Sequence, residues 1–286
     1  MTKTLHVQGL YCRSYIRNDR SCVFYLKLIS PLLISPQQKR KGEWNMGYAI
    51  KTENLIKQYK DKTAVDGLTL SVSEGELIAL LGVNGAGKTT TVKMLTCLTK
   101  PTGGKAEVIG HDVMKDPDEV KRLVGISPQD TSVAENLTVK ENLEFMAELY
   151  LPKEKAGSAV ERTIKAFGLE EFRNKKAKLL SGGYKRKLSI AMAIIGSPKV
   201  LFLDEPTLGL DVLARRQLWR EIEVLKKDMT IVLTTHYMEE AQALADRIVI
   251  MSEGKVMAIG TLQELESMTG KTGLEDVFVS IAEKVE

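Results

Sequence analysis

The segment Gly82-Val83-Asn84-Gly85-Ala86-Gly87-Lys88-Thr89 has the G-x-x-x-x-G-K-[ST] spacing that wraps a backbone around an anion. Its glycines let the chain curl until successive N–H groups converge on one point. A helix that begins there adds its partial positive charge. Lys88 would then reach the β- and γ-phosphates of a nucleotide, and the Thr89 hydroxyl could ligate Mg²⁺. A glycine turn of this kind can arise by chance, but here an apolar run precedes it and a helical pattern follows.

A second chemical element is Asp204-Glu205, directly after the apolar run Val200-Leu201-Phe202-Leu203. Doubly wound sheets bind ligands at the carboxyl ends of their strands. Asp204 offers a hard oxygen for the Mg²⁺ shell. Glu205 could polarise an attacking water as general base. Taken alone, the pair would read as an acidic helix cap; beside a phosphate loop it reads as chemistry.

The elements that must position these residues follow from patterning. Ala49–Tyr59 and Gly67–Val72 read as strands, the second closed by Ser73-Glu74-Gly75. Leu77–Leu81 is a continuous apolar run of the kind found in fully buried strands. Lys88–Leu98 reads as a helix and Lys105–Ile109 as a strand. Thr138–Tyr150 and Ala159–Phe167 read as helices, the latter ending at Gly168. Strand and helix then alternate: Lys199–Leu203, Val212–Leu225, Thr230–Thr234, Tyr237–Ala245 and Arg247–Met251, with Lys255–Ile259 after the Glu253-Gly254 turn. Such alternation predicts an α/β fold with a mainly parallel sheet and helices on both faces. The helical stretch Glu135–Lys178 interrupts the rhythm and reads as an insertion.

Three further motifs make a family resemblance specific. Leu180-Ser181-Gly182-Gly183-Tyr184 resembles the LSGGQ signature of ATP-binding cassette proteins, and it stands just before the carboxylate-bearing strand as it does in that family. Gln129, in Ile126-Ser127-Pro128-Gln129, resembles the family's Q-loop glutamine. His236, in Thr234-Thr235-His236, resembles its switch histidine. Tyr59 lies upstream of the loop, as the adenine-stacking aromatic does. The resemblance covers roughly residues 48–260.

It implies a P-loop NTPase core with an antiparallel β subdomain and an inserted helical subdomain, about residues 130–187 of a nucleotide-binding domain spanning 46–260. Residues 261–286 would be a helical tail. It also implies ATP and Mg²⁺ as ligands, held by the loop Gly82–Thr90 with Lys88, Thr89 and Thr90, by Gln129 and by Asp204. Two cassettes, a homodimer for preference, would pack head to tail around two ATP. Each would offer Ser181, Gly182 and Gly183 to the γ-phosphate bound by the other, with Asp211 near the nucleotide. Glu205 and His236 would be catalytic. Two departures stand out: Tyr184 replaces the usual signature glutamine, and Leu208 stands where serine or alanine is common.

The signature region through Leu188 and the end Gly273-Leu274-Glu275-Asp276-Val277-Phe278 resemble cassettes of drug, antibiotic and lipid exporters. Members of that subgroup usually pair with a separate integral membrane permease. The expectation is therefore an ATPase powering export, with no nucleic-acid partner, peripheral on the cytoplasmic face of the membrane through the permease alone. The alternative is a soluble cassette ATPase acting in translation or DNA maintenance. The first kind usually carries two cassettes, and the second inserts a long coiled coil that has no heptads here.

Composition agrees. With 43% hydrophobic and 27% charged residues, the chain is in the ordinary globular range, which excludes a collagen or a disordered tail. Uncharged stretches reach only about 11 residues, as in Leu188–Pro198, against roughly 20 for a spanning helix. Three cysteines, Cys12, Cys22 and Cys97, with no regular spacing argue against a disulfide framework and fit a reducing compartment. The net charge of +4 is uneven: residues 1–45 carry eight basic and two acidic side chains, so the remainder is net −2. This weakens any argument for nucleic-acid binding from global charge, and the basic residues 1–45 are the only feature that favours it. Residues 1–45 lack sustained periodicity and read as a non-native or disordered leader ahead of a start at Met46.

Overall fold

The computed structural model describes residues 47–283, so the expectation for residues 1–45 lies outside the described residues. Two compact units are present: Asp130–Ile195 is one, and the other runs up to Gln129 and resumes at Gly196.

In chain order the larger unit opens with β1 (Tyr48–Tyr59), β2 (Lys62–Ser73), β3 (Leu77–Leu81), α1 (Lys88–Leu95), β4 (Gly103–Val108), β5 (His111–Asp112), α2 (Pro117–Leu123) and β6 (Val124–Ser127). The helical unit contributes α3 (Val139–Tyr150), α4 (Lys153–Ala166) and α5 (Gly182–Ile194). The chain returns with β7 (Val200–Asp204), α6 (Val212–Leu225), β8 (Thr230–Thr235), α7 (Met238–Leu244), β9 (Arg247–Ser252), β10 (Lys255–Gly260), α8 (Leu262–Thr269) and α9 (Leu274–Ala282).

The six-stranded sheet has the order β10-β9-β3-β8-β7-β6. Its strands run parallel from β9 to β6, and β10 returns antiparallel on β9. Every residue of β3, β6, β7 and β8 is buried, which is why β3 and β7 read as continuous apolar runs. Register brings the working ends together. Leu81 lies opposite Thr235 on one side and Ile250 on the other, and Asp204 lies opposite Thr234. The loop after β3, the carboxylates after β7 and the Thr-Thr-His after β8 therefore leave the sheet at one edge.

The four-stranded sheet, β2-β1-β4-β5, is antiparallel throughout. Its β1–β4 pairing shifts register between Glu53 and Ile56, where Asn54 has φ 46°. Gly104 presses into that bulge: a Cβ on it would meet Asn54 O at 2.1 Å. Helix α1 packs against β2, β4 and β7 and so joins both sheets.

Several boundaries differ from the sequence expectation. Strand β2 begins at Lys62, because Gly67 (φ 68°) lies inside it at a register shift instead of starting it. Helix α1 stops at Leu95: Cys97 takes a left-handed φ of 57°, with no glycine in the sequence to announce the turn. There the Cys97 thiol contacts Val113 O at 3.4 Å, and burial pushes its pKa up to about 11. Helix α4 starts six residues earlier than expected, straight after Pro152. Helix α2 and strand β6 carry no strong periodic signal and were not anticipated.

In the helical unit, α3 begins with a full capping box. Glu141 N donates to the Thr138 hydroxyl, and Thr138 N donates back to the Glu141 carboxylate. These Thr138 donors hold the Glu141 carboxyl below its usual pKa. Buried Asn142 ties the same turn to Ala134, accepting from its N–H at 2.8 Å and donating to its C=O at 3.1 Å. Helix α3 packs on α4 and α5.

Candidate functional site

The loop Gly82–Thr89 is shaped by contacts that only glycine permits. Gly85 and Gly87 have φ of 89° and 101°. A Cβ on Gly87 would meet Ala64 O at 2.5 Å, and one on Gly82 would meet Met251 O at 2.4 Å. The Glu253-Gly254 turn clamps the loop from outside: Gly254 N donates to Ala86 O at 3.2 Å, while Asp66 N donates to Gly254 O at 2.9 Å. Val83, Asn84 and Gly85 are exposed at the tip, and Ala86 is buried. Thr90 lies half-buried in the first turn of α1.

Lys88 is the electrostatic centre. Its ammonium, on a side chain only 5% exposed, donates to Gly82 O at 2.7 Å and Val83 O at 3.2 Å. It also pairs with Glu205 Oε1 at 3.3 Å. The other oxygen, Oε2, meets His236 Nδ1 at 2.5 Å. Glu205 has φ 51°, uncommon for a residue with a side chain. Its N–H donates to both the carbonyl and the hydroxyl of Thr234, each at 3.1 Å, which holds that conformation. Thr234 Oγ1 also donates to Asp204 Oδ1 at 2.5 Å, and Thr89 Oγ1 donates to the same oxygen at 3.0 Å.

The donor set fits a magnesium nucleotide. A hydroxyl and a carboxylate, both hard oxygens, meet beside a glycine loop with a lysine at its base. Among the described residues no group of three or more His, Cys, Asp or Glu could hold a metal ion. An ion here must draw its remaining ligands from phosphate and water, which is how Mg²⁺ is usually bound.

The remaining sequence-selected residues fall as follows. Tyr59, at the end of β1, has an exposed ring with Lys57 Nζ 4.7 Å from its centroid. Gln129 is exposed two residues past β6, the neighbour of the Asp204 strand. Ser181 stands at the N-cap of α5 but makes no side-chain capping bond, and Ser181 and Gly182 are exposed, with Gly183 half-buried. The amino end of a 13-residue helix is thus open to an anion. Tyr184 packs on Phe172, ring centroids 4.2 Å apart, so the residue that departs from the signature is a packing residue. Asp211 caps α6, its carboxylate accepting from Leu213 N and Ala214 N, both at 2.9 Å. Thr234, Thr235, Thr207 and Glu240 lie around the Asp204–Glu205 pair without a motif in the sequence that marks them as part of the site. Thr234 and Thr235 were in view as part of the histidine motif, but nothing in their spacing marks a hydroxyl as a ligand.

The loop and the strands that carry it have the P-loop NTPase fold. The family model for the ABC transporter matches residues 65–208, and the chain belongs to that family. It is 45% identical over 228 residues to the daunorubicin/doxorubicin resistance ATP-binding protein DrrA of Streptomyces peucetius, spanning 79% of this chain and 69% of that protein. It is 43% identical to the phospholipid-transporting ATPase ABCA3 of Homo sapiens over 77% of this chain, which is 13% of that much longer protein. Among solved structures, an ATP binding subunit of an ABC transporter aligns with TM-score 0.75 and 30% identity, covering 82% of this chain and 99% of that one. The ATP-binding cassette MJ0796, in a dimeric post-hydrolysis state bound to ADP and Pi, aligns with TM-score 0.68 and 28% identity, over 74% of this chain and 98% of that one. The fold is that of an ABC ATPase cassette: an α/β P-loop core with an antiparallel subdomain.

Proposed function

We propose that this chain is the ATP-hydrolysing subunit of an exporter for a drug, antibiotic or lipid-like cargo. It works as a head-to-tail homodimer beneath a separate membrane permease. The observation that carries the reading is Glu205, clasped between Lys88 and His236 one residue after the Asp204–Thr89 pair. No described helix is long and apolar enough to cross a membrane, which agrees with a permease in another chain. The drug-resistance and phospholipid-transporting relatives support the cargo class. The cassette would sit on the cytoplasmic face of the membrane, held there by the permease.

The loop amides and Lys88 bind the β- and γ-phosphates of ATP, and Tyr59 stacks on the adenine. Thr89, Asp204 and Gln129 hold the Mg²⁺ site; the ion, when bound, neutralises charge on the phosphate oxygens as the bond to the leaving group breaks. Glu205 accepts a proton from the attacking water. His236, hydrogen-bonded to Glu205, fixes the carboxylate and faces the γ-phosphate. Each copy presents its Ser181–Gly183 helix start to the nucleotide held by the other. The γ-phosphate therefore joins the two copies, and its loss releases them.

The decisive experiment is an affinity pull-down from detergent-solubilised native membranes, with a carboxyl-terminal tag and MgATP plus vanadate. A polytopic membrane protein recovered in near-equal amount is expected. Recovery of ribosomes or DNA-bound proteins without a permease would overturn the transport reading.

A further inference from the structure

Glu240 is a buried carboxyl that forms no ion pair among the described residues. It lies in the first turn of α7 with 0% of its surface exposed. What reaches it is neutral: the Trp219 indole N–H from α6 donates to its Oε1 at 3.2 Å, and the hydroxyls of Thr235 and Thr207 lie beside it. The Thr207 hydroxyl and the second Glu240 oxygen are both buried, and neither completes a hydrogen bond of ordinary geometry.

The charges around it are engaged elsewhere. Glu205 holds Lys88 and His236. Arg215, one turn before Trp219, sits over the Tyr237 ring at 4.7 Å and approaches Glu239 at 3.9 Å, although its buried Nε completes no hydrogen bond; Arg216, Arg220 and Glu223 of the same helix are exposed. Strands β3 and β8, which pack on α7, bring only apolar residues and threonines. On α9, also against α7, Glu275 and Asp276 are exposed. Burial raises the Glu240 pKa above the usual carboxylate value; the three neighbouring donors offset part of this, and the Glu205 charge adds to it. The amino end of α7 favours an anion, but that field is weak beside full burial.

We propose that Glu240 is a positioning residue: a buried carboxylic acid whose bond from Trp219 ties α6, the helix that follows the Thr207 loop, to the start of α7, just past the Thr235–His236 turn. It acts through Thr235, whose hydroxyl accepts from Tyr237 N at 2.9 Å and so shapes the turn that carries the imidazole. Full burial favours the neutral acid, and the nearby Glu205 charge adds to that preference. The inference rests on the reading of Glu205 as the base.

The test compares wild type, Glu240→Gln and Glu240→Ala in the full chain, with MgATP turnover measured across pH. The amide keeps the shape, an acceptor and a donor, so Glu240→Gln should retain kcat within about twofold near neutral pH. Glu240→Ala should lose about tenfold in kcat with little change in KM. Wild-type kcat should fall on the alkaline side as Glu240 ionises, and Glu240→Gln should lack that limb. Melting gives an independent readout should the alanine variant fail to fold. The folded pKa lies above the unfolded one, so wild type loses stability as pH rises between the two, and the Tm advantage of Glu240→Gln should grow over that window. A glutamine variant as impaired as the alanine one, or a Tm difference that ignores pH, would overturn the proposal. Glu205→Gln run alongside separates the two readings: wild-type turnover there sinks the base assignment, while the Tm comparison still decides the charge state of Glu240.

Discussion

Lys88 reaches three oxygens at once: two loop carbonyls and the Glu205 carboxylate. Lys88→Ala removes the cation that faces the phosphates and strands a buried carboxylate, so kcat/KM for ATP should fall by about 100-fold or more. Steady-state hydrolysis in a clean preparation measures it, and undiminished turnover would remove the loop from the mechanism. Gly87→Ala tests the loop backbone instead. A methyl there meets Ala64 O at 2.5 Å with φ at 101°, and the expected cost is about 2–4 kcal/mol, read as a lower urea midpoint. These residues were legible in the sequence because their chemistry depends on local spacing. Thr234 was not, since only the pairing of β7 with β8 brings its hydroxyl to Asp204, thirty positions away. The capping of α6 by Asp211 was equally hidden, because an Asp before a helix and an Asp beside a nucleotide look alike in one dimension.

Elements whose interior periodicity was strong were read closely from the sequence: β3 and α6 have the expected limits. Where local turn chemistry decides, the reading slipped. A left-handed Cys97 shortened α1, and the bulge at Gly67 concealed the first residues of β2. Strand β6 is four residues long, too short for a period to show, and only its neighbour β7 identifies it as sheet. At this scale the capping box of α3 makes a clean test. Thr138→Ala deletes the acceptor for Glu141 N and the donor to its carboxylate. A loss of about 1 kcal/mol is expected, read as a lower Tm of the full chain, with nucleotide affinity unchanged. An unaltered Tm would mean that packing of α3 on α4 and α5 alone fixes that end.

For the whole molecule, the consequence of the proposed chemistry is an assembly that depends on γ-phosphate. Glu205→Gln removes the base but keeps its size, so turnover should drop about 100-fold or more while MgATP holds two copies together. Light scattering during size exclusion checks this: a variant that stays monomeric at saturating MgATP would rule out the sandwich. The half-buried thiol at the end of α1 offers a different view of the same particle. With its pKa at about 11, Cys97 carries thiolate in only about one molecule in a thousand near pH 8, and an alkylating reagent reacts with the thiolate. Modification of that cysteine, followed by peptide mass mapping, therefore acts as a clock for the accessibility of the thiol at the end of α1. Nucleotide should slow the clock if it clamps α1 at the phosphate loop, and a rate indifferent to ATP would show that binding leaves the far end of that helix as loose as before.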